Sequence, residues 1–432
     1  MKELSSLKGE LNKCVRCGAC RSICPTFRVL GRETAAARGK LTLVEGYLEG
    51  RIDLSEAYIK HIKECTMCGG CRTSCPRGVD TTAVFNAARA DAVKKKGLSF
   101  AESFVMKNML DYTGIMPRAL KYASRLKGLL FKGSAVEHGL ISRFSMPLVG
   151  GGRLVPELAE TFFLDLKRVK GLGAHAHGKR GKSPAPATKV AFYAGCGVNF
   201  LMPGVGLSSI DALMKAGLEV VVPASQVCCG MPAYYSGDVE TAKSLALKNL
   251  KVFEDAGAEY IVTSCATCSH GLKNVFREIL SGGHDPEMNE RVERFSSRVR
   301  DITEFLATST EGEDKGAGPA SDRGKKIVTY HDPCHLNRNQ GIRDEPRELL
   351  KKNKNIEFRE MRFPCSCCGL GAGVSLTNYE LSINITKRKA DSIRDSGADI
   401  VATACPGCIV QLRDGLHKYG VDAKVMHVVE LL

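Results

Sequence analysis

Several features are missing from this sequence. No apolar run approaches the length of a membrane span. The opening segment MKELSSLKGELNKC lacks the apolar core of a secretion signal, so a cytoplasmic protein is expected. No GxGxxG follows a predicted strand, and no P-loop occurs, so no segment is shaped to cradle a dinucleotide or a nucleoside triphosphate. The GAG of Gly371 to Gly373 reads only as a turn before a helix. No recognisable nucleic-acid-binding motif accompanies the basic composition.

What the chain does have is cysteine, 19 in 432 residues. In a small secreted chain these would suggest disulfides. Here the chain is long, the count is odd and most cysteines sit in tight groups where thiolates converge on one point, so metal ligation is the better reading. The formal charge of +15 counts those thiols as neutral. With eighteen of them as thiolates around four clusters of core charge about +2, the balance falls to about +5. Much of the basic excess therefore reads as counter-charge to bound metal rather than as a nucleic-acid footprint.

Length predicts two or three domains, and the cysteines divide the chain. Residues 1–97 hold eight, residues 98–188 none, and residues 189–432 eleven in two similar halves. In the first part, Leu41, Val44, Tyr47 and Leu48 share a helical face, as do Leu54, Tyr58 and Ile62. Residues 81–97, TTAVFNAARADAVKKKG, read as a helix ending at Gly97 after a lysine-rich turn. The middle part, 98–188, reads as helical segments and a linker. Its helices are SFAESFVMKNML and PRALKYASRLKGLLF, with Leu120, Tyr122, Leu126, Leu129 and Leu130 as an apolar face beside Lys94, Lys95, Lys96, Lys107, Arg118, Lys121, Arg125, Lys127 and Lys132. That face either packs on its own domain or docks on a partner or membrane surface. The composition of 170–189 is that of a flexible linker.

The last part is an internal duplication, with domains expected at 189–310 and 325–432 separated by the polar insert 308–326. Each half runs strand, helix, strand, CCG, helix, strand, helix, which implies α/β units with parallel strands and cysteines at strand ends. The fold expected overall is a multidomain α+β protein: a helical ferredoxin-type domain, then duplicated α/β domains.

Cys14, Cys17, Cys20 and Cys24 precede Pro25, and Cys65, Cys68, Cys71 and Cys75 precede Pro76. Each is a C-x2-C-x2-C-x3-C-P run, the spacing of proteins with two [4Fe–4S] cubanes, in which the fourth cysteine serves the other cluster. One cluster should be held by Cys14, Cys17, Cys20 and Cys75, and the other by Cys65, Cys68, Cys71 and Cys24. Zinc also takes four thiolates, usually from paired CxxC units, and is disfavoured by two full copies with proline. The second constellation is a five-cysteine pattern present twice: Cys196, Cys228, Cys229, Cys265 and Cys268, then Cys334, Cys367, Cys368, Cys405 and Cys408. Five thiolates exceed what a tetrahedral zinc accepts. They suit a multi-iron cluster or a site with a spare thiol. Cys365 falls outside both patterns and reads as a core or loop residue, with an accessory-ligand role as the alternative. His270, His331 and His335 lie near site cysteines and are expected to hydrogen-bond locally, tuning a cluster rather than ligating it.

The doubled pattern resembles the cysteine-rich CCG domain family, found also in heterodisulfide reductases. The order of two ferredoxin motifs, a linker and two CCG domains resembles the iron–sulfur subunit of glycolate or D-lactate oxidases. Segments YHDPCHLNRNQGIRDEPRELL, CCGLGAGVSL, CPGCIVQLRDGL and the closing VVELL are similar to that subunit. The resemblance implies two cubanes plus one or two further [4Fe–4S] clusters, non-cubane in some relatives, at the CCG motifs, with zinc an alternative at one of them and no flavin on this chain. It implies an oxidoreductase subunit not itself catalytic on the hydroxyacid. Its partner would be an FAD-binding 2-hydroxyacid dehydrogenase subunit, with quinone, an electron-transfer flavoprotein or a membrane subunit as further partners and a location at the inner face of the membrane. Completeness of both CCG motifs keeps a heterodisulfide-reductase-type activity as a rival, and a zinc-stapled scaffold is a second.

Overall fold

The computed structural model describes residues 2–111, 131–134, 139–143, 152–174, 188–281, 285–309 and 325–432, with isolated positions 120 and 128. The expected helix at 117–131 and its apolar face, most of the 170–189 linker and most of the 308–326 insert lie outside the described residues.

The N-terminal part is helical for the reasons its pattern gives. Helix Ala37–Leu48 buries Ala37, Lys40, Leu41 and Val44. Helix Glu56–Lys63 starts where Ser55 Oγ accepts the Tyr58 amide, and it buries Tyr58 and Ile62. Asp80 caps helix Thr81–Lys96, which stops at Gly97 with φ 75° after three lysines that suit the negative end of the helix dipole. This helix buries Val84, Phe85, Ala87, Ala88, Arg89 and Ala92, more than one face, because it is covered twice. Helices Ala37–Leu48 and Glu56–Lys63 pack on one side of it and helix Met231–Ser236 on another. Gly237, at φ 93°, lets the chain pass the Arg89 carbonyl, which an added Cβ would meet at 2.5 Å.

The region read as helix and linker also holds a sheet. Strands β1 (Phe131–Gly133), β2 (Gly139–Ser142) and β3 (Leu154–Pro156) form an antiparallel meander. Runs of three or four residues are too short for period-two alternation to stand out in sequence. Helix Phe100–Met109 does form there, with a Ser99–Glu102 capping box.

The duplication builds two four-stranded, all-parallel sheets. The first uses β4 (Lys189–Tyr193), β5 (Glu219–Val221), β6 (Tyr260–Thr263) and β7 (Val299–Asp301) in the order β5-β4-β6-β7. The second repeats it with β8 (Lys326–His331), β9 (Ile356–Phe358), β10 (Ile400–Thr403) and β11 (Lys424–His427) in the order β9-β8-β10-β11. Val190, Ala191, Phe192, Ile261 and Val262 are fully buried, the near-continuous apolar run expected of strands covered on both faces. Registers match between the copies: Tyr193 pairs with Thr263, and His331 with Thr403. No described helix is long and apolar enough to cross a membrane.

Candidate iron–sulfur centres

The two N-terminal cysteine loops share one unusual backbone. Arg16 (φ 55°) and Gly18 (φ 84°) flank Cys17, and Met67 (φ 52°) and Gly69 (φ 70°) flank Cys68, all left-handed. Side chains other than glycine rarely adopt this conformation, and its recurrence at matching positions is the signature of a loop curled around something. Gly18 and Gly69 also cap the short helices carrying Cys20 and Cys71. One cavity is lined by Cys14, Cys17, Cys20, Cys71 and Cys75, and of these Cys71 also lies against Cys65, Cys68 and Cys24. Cys24 lies instead against Cys65, Cys68 and Cys71. The fourth cysteine of each run therefore sits with the other run. Burial pushes the Cys24 thiol up to about 12, so a thiolate there needs a cation's charge beside it.

In the duplicated half, Cys196, Cys265, Cys334 and Cys405 follow the C-terminal ends of β4, β6, β8 and β10, where open α/β sheets place their ligands. Cys265 and Cys405 cap the helices that begin at Ala266 and Pro406. The glycine after each cysteine pair is a structural requirement. Gly369 has φ 105°, and an added Cβ would lie 2.5 Å from the Ser382 carbonyl oxygen and 2.6 Å from Thr386 Oγ1. Gly195 likewise leaves room for Cys268 Sγ, 2.8 Å from where its Cβ would be.

Nine of the ten CCG cysteines form one connected group, and the tenth, Cys334, lies beside Cys367 and Cys368. Contacts run from Cys196 to Cys228, Cys229, Cys268 and Cys265. Cys265 touches Cys405, which leads through Cys408 and Cys368 to Cys367. Cys368 Sγ and Cys408 Sγ are 3.5 Å apart. Ala266 N–H donates to the Ala404 carbonyl at 3.1 Å, tying the two strand ends together. Cys367 in turn touches Cys68 of the N-terminal domain. None of the nineteen cysteines is in a disulfide. Cys17 and Cys196, at the two extremes of this order, are exposed. The donor sets fit iron–sulfur cofactors: curled loops, convergent thiols and backbone amides aimed at sulfur, as with Gly369 N–H to Cys367 Sγ at 3.4 Å.

Buried cations accompany the sulfurs, and sequence reading did not find them. Lys40 faces Cys24 and Cys65; its ammonium donates to the Thr34 and His61 carbonyls, and burial lowers its pKa. Arg89 donates to the carbonyls of Ile62, Lys63, Cys65 and Tyr235, joining the N-terminal domain to the first CCG unit. Arg338 donates to the Cys68 and Cys365 carbonyls. Burial opposes its charge, but the neighbouring Cys68 and Cys334 hold its pKa above the ordinary value. Burial lowers Lys389, near Cys368 and Cys408, to about 8. The only signal was a cation at a core-facing helical position, as with Lys40 one turn before Val44. Arg338 also lines an open cleft of about 500 Å³ with Arg28, Arg362, Lys387, Arg388 and the exposed Cys365, and Cys367 forms part of its wall.

Two of the three histidines bond locally as expected. His335 joins Tyr235 OH through Nε2 and Thr267 Oγ1 through Nδ1, both at 3.0 Å. His270 meets Asn274 at 3.3 Å and Asn339 at 3.2 Å. Burial lowers His335 to about 4 and His270 and His331 to about 3, so all three rings are neutral. His331 differs in making no such bonds.

Helical dicluster loops feeding two apposed α/β units with strand-end cysteines define an iron–sulfur protein of the CCG type. Residues 10–79 match the family described as the 4Fe-4S dicluster domain, and residues 190–273 and 328–413 match the cysteine-rich domain. Two relatives span nearly the whole chain and a third just over half of it. A probable glycolate oxidase iron-sulfur subunit of Bacillus subtilis is 29% identical over 98% of this chain and 94% of its own length. One of the subunits of fumarate reductase (CoM/CoB) from Methanothermobacter marburgensis is 30% identical over 98% of this chain and 72% of its own. Lactate utilization protein A of Bacillus cereus is 33% identical over 56% of this chain and 98% of its own. The chain belongs to this family of oxidoreductase iron–sulfur subunits, in which a dicluster segment precedes paired CCG domains.

Proposed function

We propose that this chain is the electron-transfer subunit of a flavin-dependent 2-hydroxyacid dehydrogenase or oxidase, with glycolate or D-lactate as the substrate class. In this reading a separate FAD-binding subunit oxidises the hydroxyacid. This chain then hands electrons towards a quinone, an electron-transfer flavoprotein or a membrane subunit at the inner face of the cell membrane. The observation that carries it is the order of the cysteine sets: Cys14–Cys17–Cys20–Cys75, then Cys24–Cys65–Cys68–Cys71, then the second CCG set through Cys68 and Cys367, then the first through Cys405 and Cys265.

The ligand sets are read as those four. Two hold [4Fe–4S] cubanes, and one or both CCG sets hold a further cluster, which supplies one-electron storage and transfer. The chain's own residues keep the sulfurs adjacent, exclude water and place Lys40, Arg89 and Arg338 against accumulating negative charge. The corresponding domains are 1–97, 98–188, 189–310 and 325–432. The open cleft sets Arg28, Arg338, Arg362 and Arg388, together with a Lys387 that is paired to Asp391, around one space, a basic excess that suits an acidic partner surface.

The test is anaerobic purification with partner identification, iron and acid-labile sulfide analysis, and electron paramagnetic resonance after adding glycolate or D-lactate. Cluster signals should become reduced only when the flavoprotein is present. A preparation holding zinc without iron or sulfide would remove the proposal. The cleft also reaches Cys367 of a complete five-cysteine set, which favours a second reading, a heterodisulfide-reductase-type activity. Disulfide reduction by the isolated chain with an artificial electron donor would select that one.

A further inference from the structure

The two CCG units share a fold, a register and a cysteine pattern, yet one position facing the sulfurs differs. Tyr193 ends β4 opposite Thr263, three residues before Cys196; His331 ends β8 opposite Thr403, three residues before Cys334. Tyr193 lies against Cys229 and Cys268, and its hydroxyl is satisfied, donating to the Val227 carbonyl at 2.7 Å. His331 lies against the equivalent pair. One of its ring nitrogens falls within 4.8 Å of both Cys368 Sγ and Cys408 Sγ, the one such group of metal-capable side chains among the described residues.

The ring is 1% exposed, and neither nitrogen makes a hydrogen bond of good geometry, the Pro364 carbonyl being the one acceptor close enough to act on it. The nearby Pro364 carbonyl is already taken by the Asp332 amide at 3.0 Å and the Lys389 ammonium at 2.8 Å. A buried imidazole without a well-made hydrogen bond is costly, and the sulfur-lined site offers its nitrogen a metal instead. His270 and His335, equally near site cysteines, have ordinary partners and are not in this position.

We propose that His331 supplies a nitrogen donor to the metal centre held by Cys334, Cys367, Cys368, Cys405 and Cys408, so that the second CCG centre is a mixed sulfur–nitrogen site and the first is all-sulfur. The proposal rests on the reading that the second cysteine set holds metal. Where the neutral imidazole occupies a metal position that one of the five thiolates would otherwise fill, the centre carries one negative charge fewer, which raises its reduction potential, as histidine does where it replaces cysteine at other iron–sulfur centres. The duplication has thereby produced two unlike centres from one template.

The test uses the full chain, purified anaerobically with and without ¹⁵N-histidine. Pulsed electron paramagnetic resonance of the second centre should show a directly bound nitrogen whose coupling changes on ¹⁵N labelling. If that centre holds zinc, its X-ray absorption should show nitrogen beside sulfur in the first shell. The coupling should vanish in His331→Tyr, which installs the residue of the first unit, and persist in His335→Gln; the second centre's midpoint potential should fall in the former alone. The labelling result on the unsubstituted protein stands even if a variant fails to fold. Metal present without a nitrogen signal, or a signal surviving in His331→Tyr, overturns this inference alone. Unchanged metal content in Cys368→Ser with Cys408→Ser overturns it together with the reading beneath it.

Discussion

Arg338 offers a sharp test of how this protein sets the energy of its electrons. Its guanidinium donates to the Cys68 carbonyl at 3.3 Å and the Cys365 carbonyl at 2.7 Å, and Cys68, Cys334 and Cys367 surround it. It therefore stands at the junction between the second cubane set and the second CCG set. Adding an electron to either neighbour places negative charge beside a fixed positive one. At a separation of about 6 Å and an effective dielectric constant of about 20, one unit charge is worth ~3 kcal/mol. For a one-electron couple that is ~120 mV. The side chain is only partly buried, so screening by water reduces the figure to roughly 60–120 mV. Arg338→Met should therefore lower the midpoint potential of one or both adjoining centres by about that much, while Arg338→Lys should recover most of it. Redox titration followed by electron paramagnetic resonance measures both. Potentials unchanged in Arg338→Met at normal iron content, or the same shift in Arg338→Lys, would show that the buried cations are not counter-charge to metal.

Further outcomes follow from the same geometry. Cys20→Ser should remove or alter one cubane signal and Cys71→Ser the other; spectra unchanged in both variants would contradict the ligand assignment. Gly369→Ala combines a left-handed backbone with two contacts near 2.5 Å, so it should cost about 2 kcal/mol or more. Denaturant unfolding and a loss of metal from the second CCG set would read this, and an unperturbed variant would show that the CCG glycine is dispensable. His335 is buried and neutral, lowered from 6.5 to about 4. Its contribution is complete above its unfolded value and is lost as pH falls from about 6.5 towards 4, up to ~3 kcal/mol. Melting temperature measured against pH should flatten over that window in His335→Gln, and identical slopes would show that the ring titrates elsewhere.

The sulfur chemistry was legible because spacing alone carries it: two C-x2-C-x2-C-x3-C-P runs and a doubled CCG pattern leave few alternatives. Helices Ala37–Leu48 and Thr81–Lys96 were legible from periodicity and from stop signals such as Gly97. Strands β7 and β11 were not, because three or four residues such as VRD or KVMH have no room for a pattern. The meander at 131–156 was missed for the same reason. Roles set by tertiary approach were also invisible. Arg89 looks like any helical arginine until the Tyr235 carbonyl, 146 residues away, arrives to accept its hydrogen bond. The difference between His331 and His335 is likewise absent from sequence, where both flank Cys334; only the fold gives one ring a tyrosine and a threonine and leaves the other with sulfur.

The exchange of fourth cysteines between the two N-terminal loops bears on how the molecule is made. Residues 14 to 24 emerge from the ribosome well before residue 75, yet Cys14, Cys17 and Cys20 line a cavity that Cys75 also lines. Cys24 meanwhile waits for Cys65, Cys68 and Cys71. The first loop cannot complete its set as it is made, whereas Cys24 is already present when Cys65, Cys68 and Cys71 arrive, so both sets of four are complete only once the second loop has been made. A chain cut short between the loops would therefore hold neither set of four cysteines.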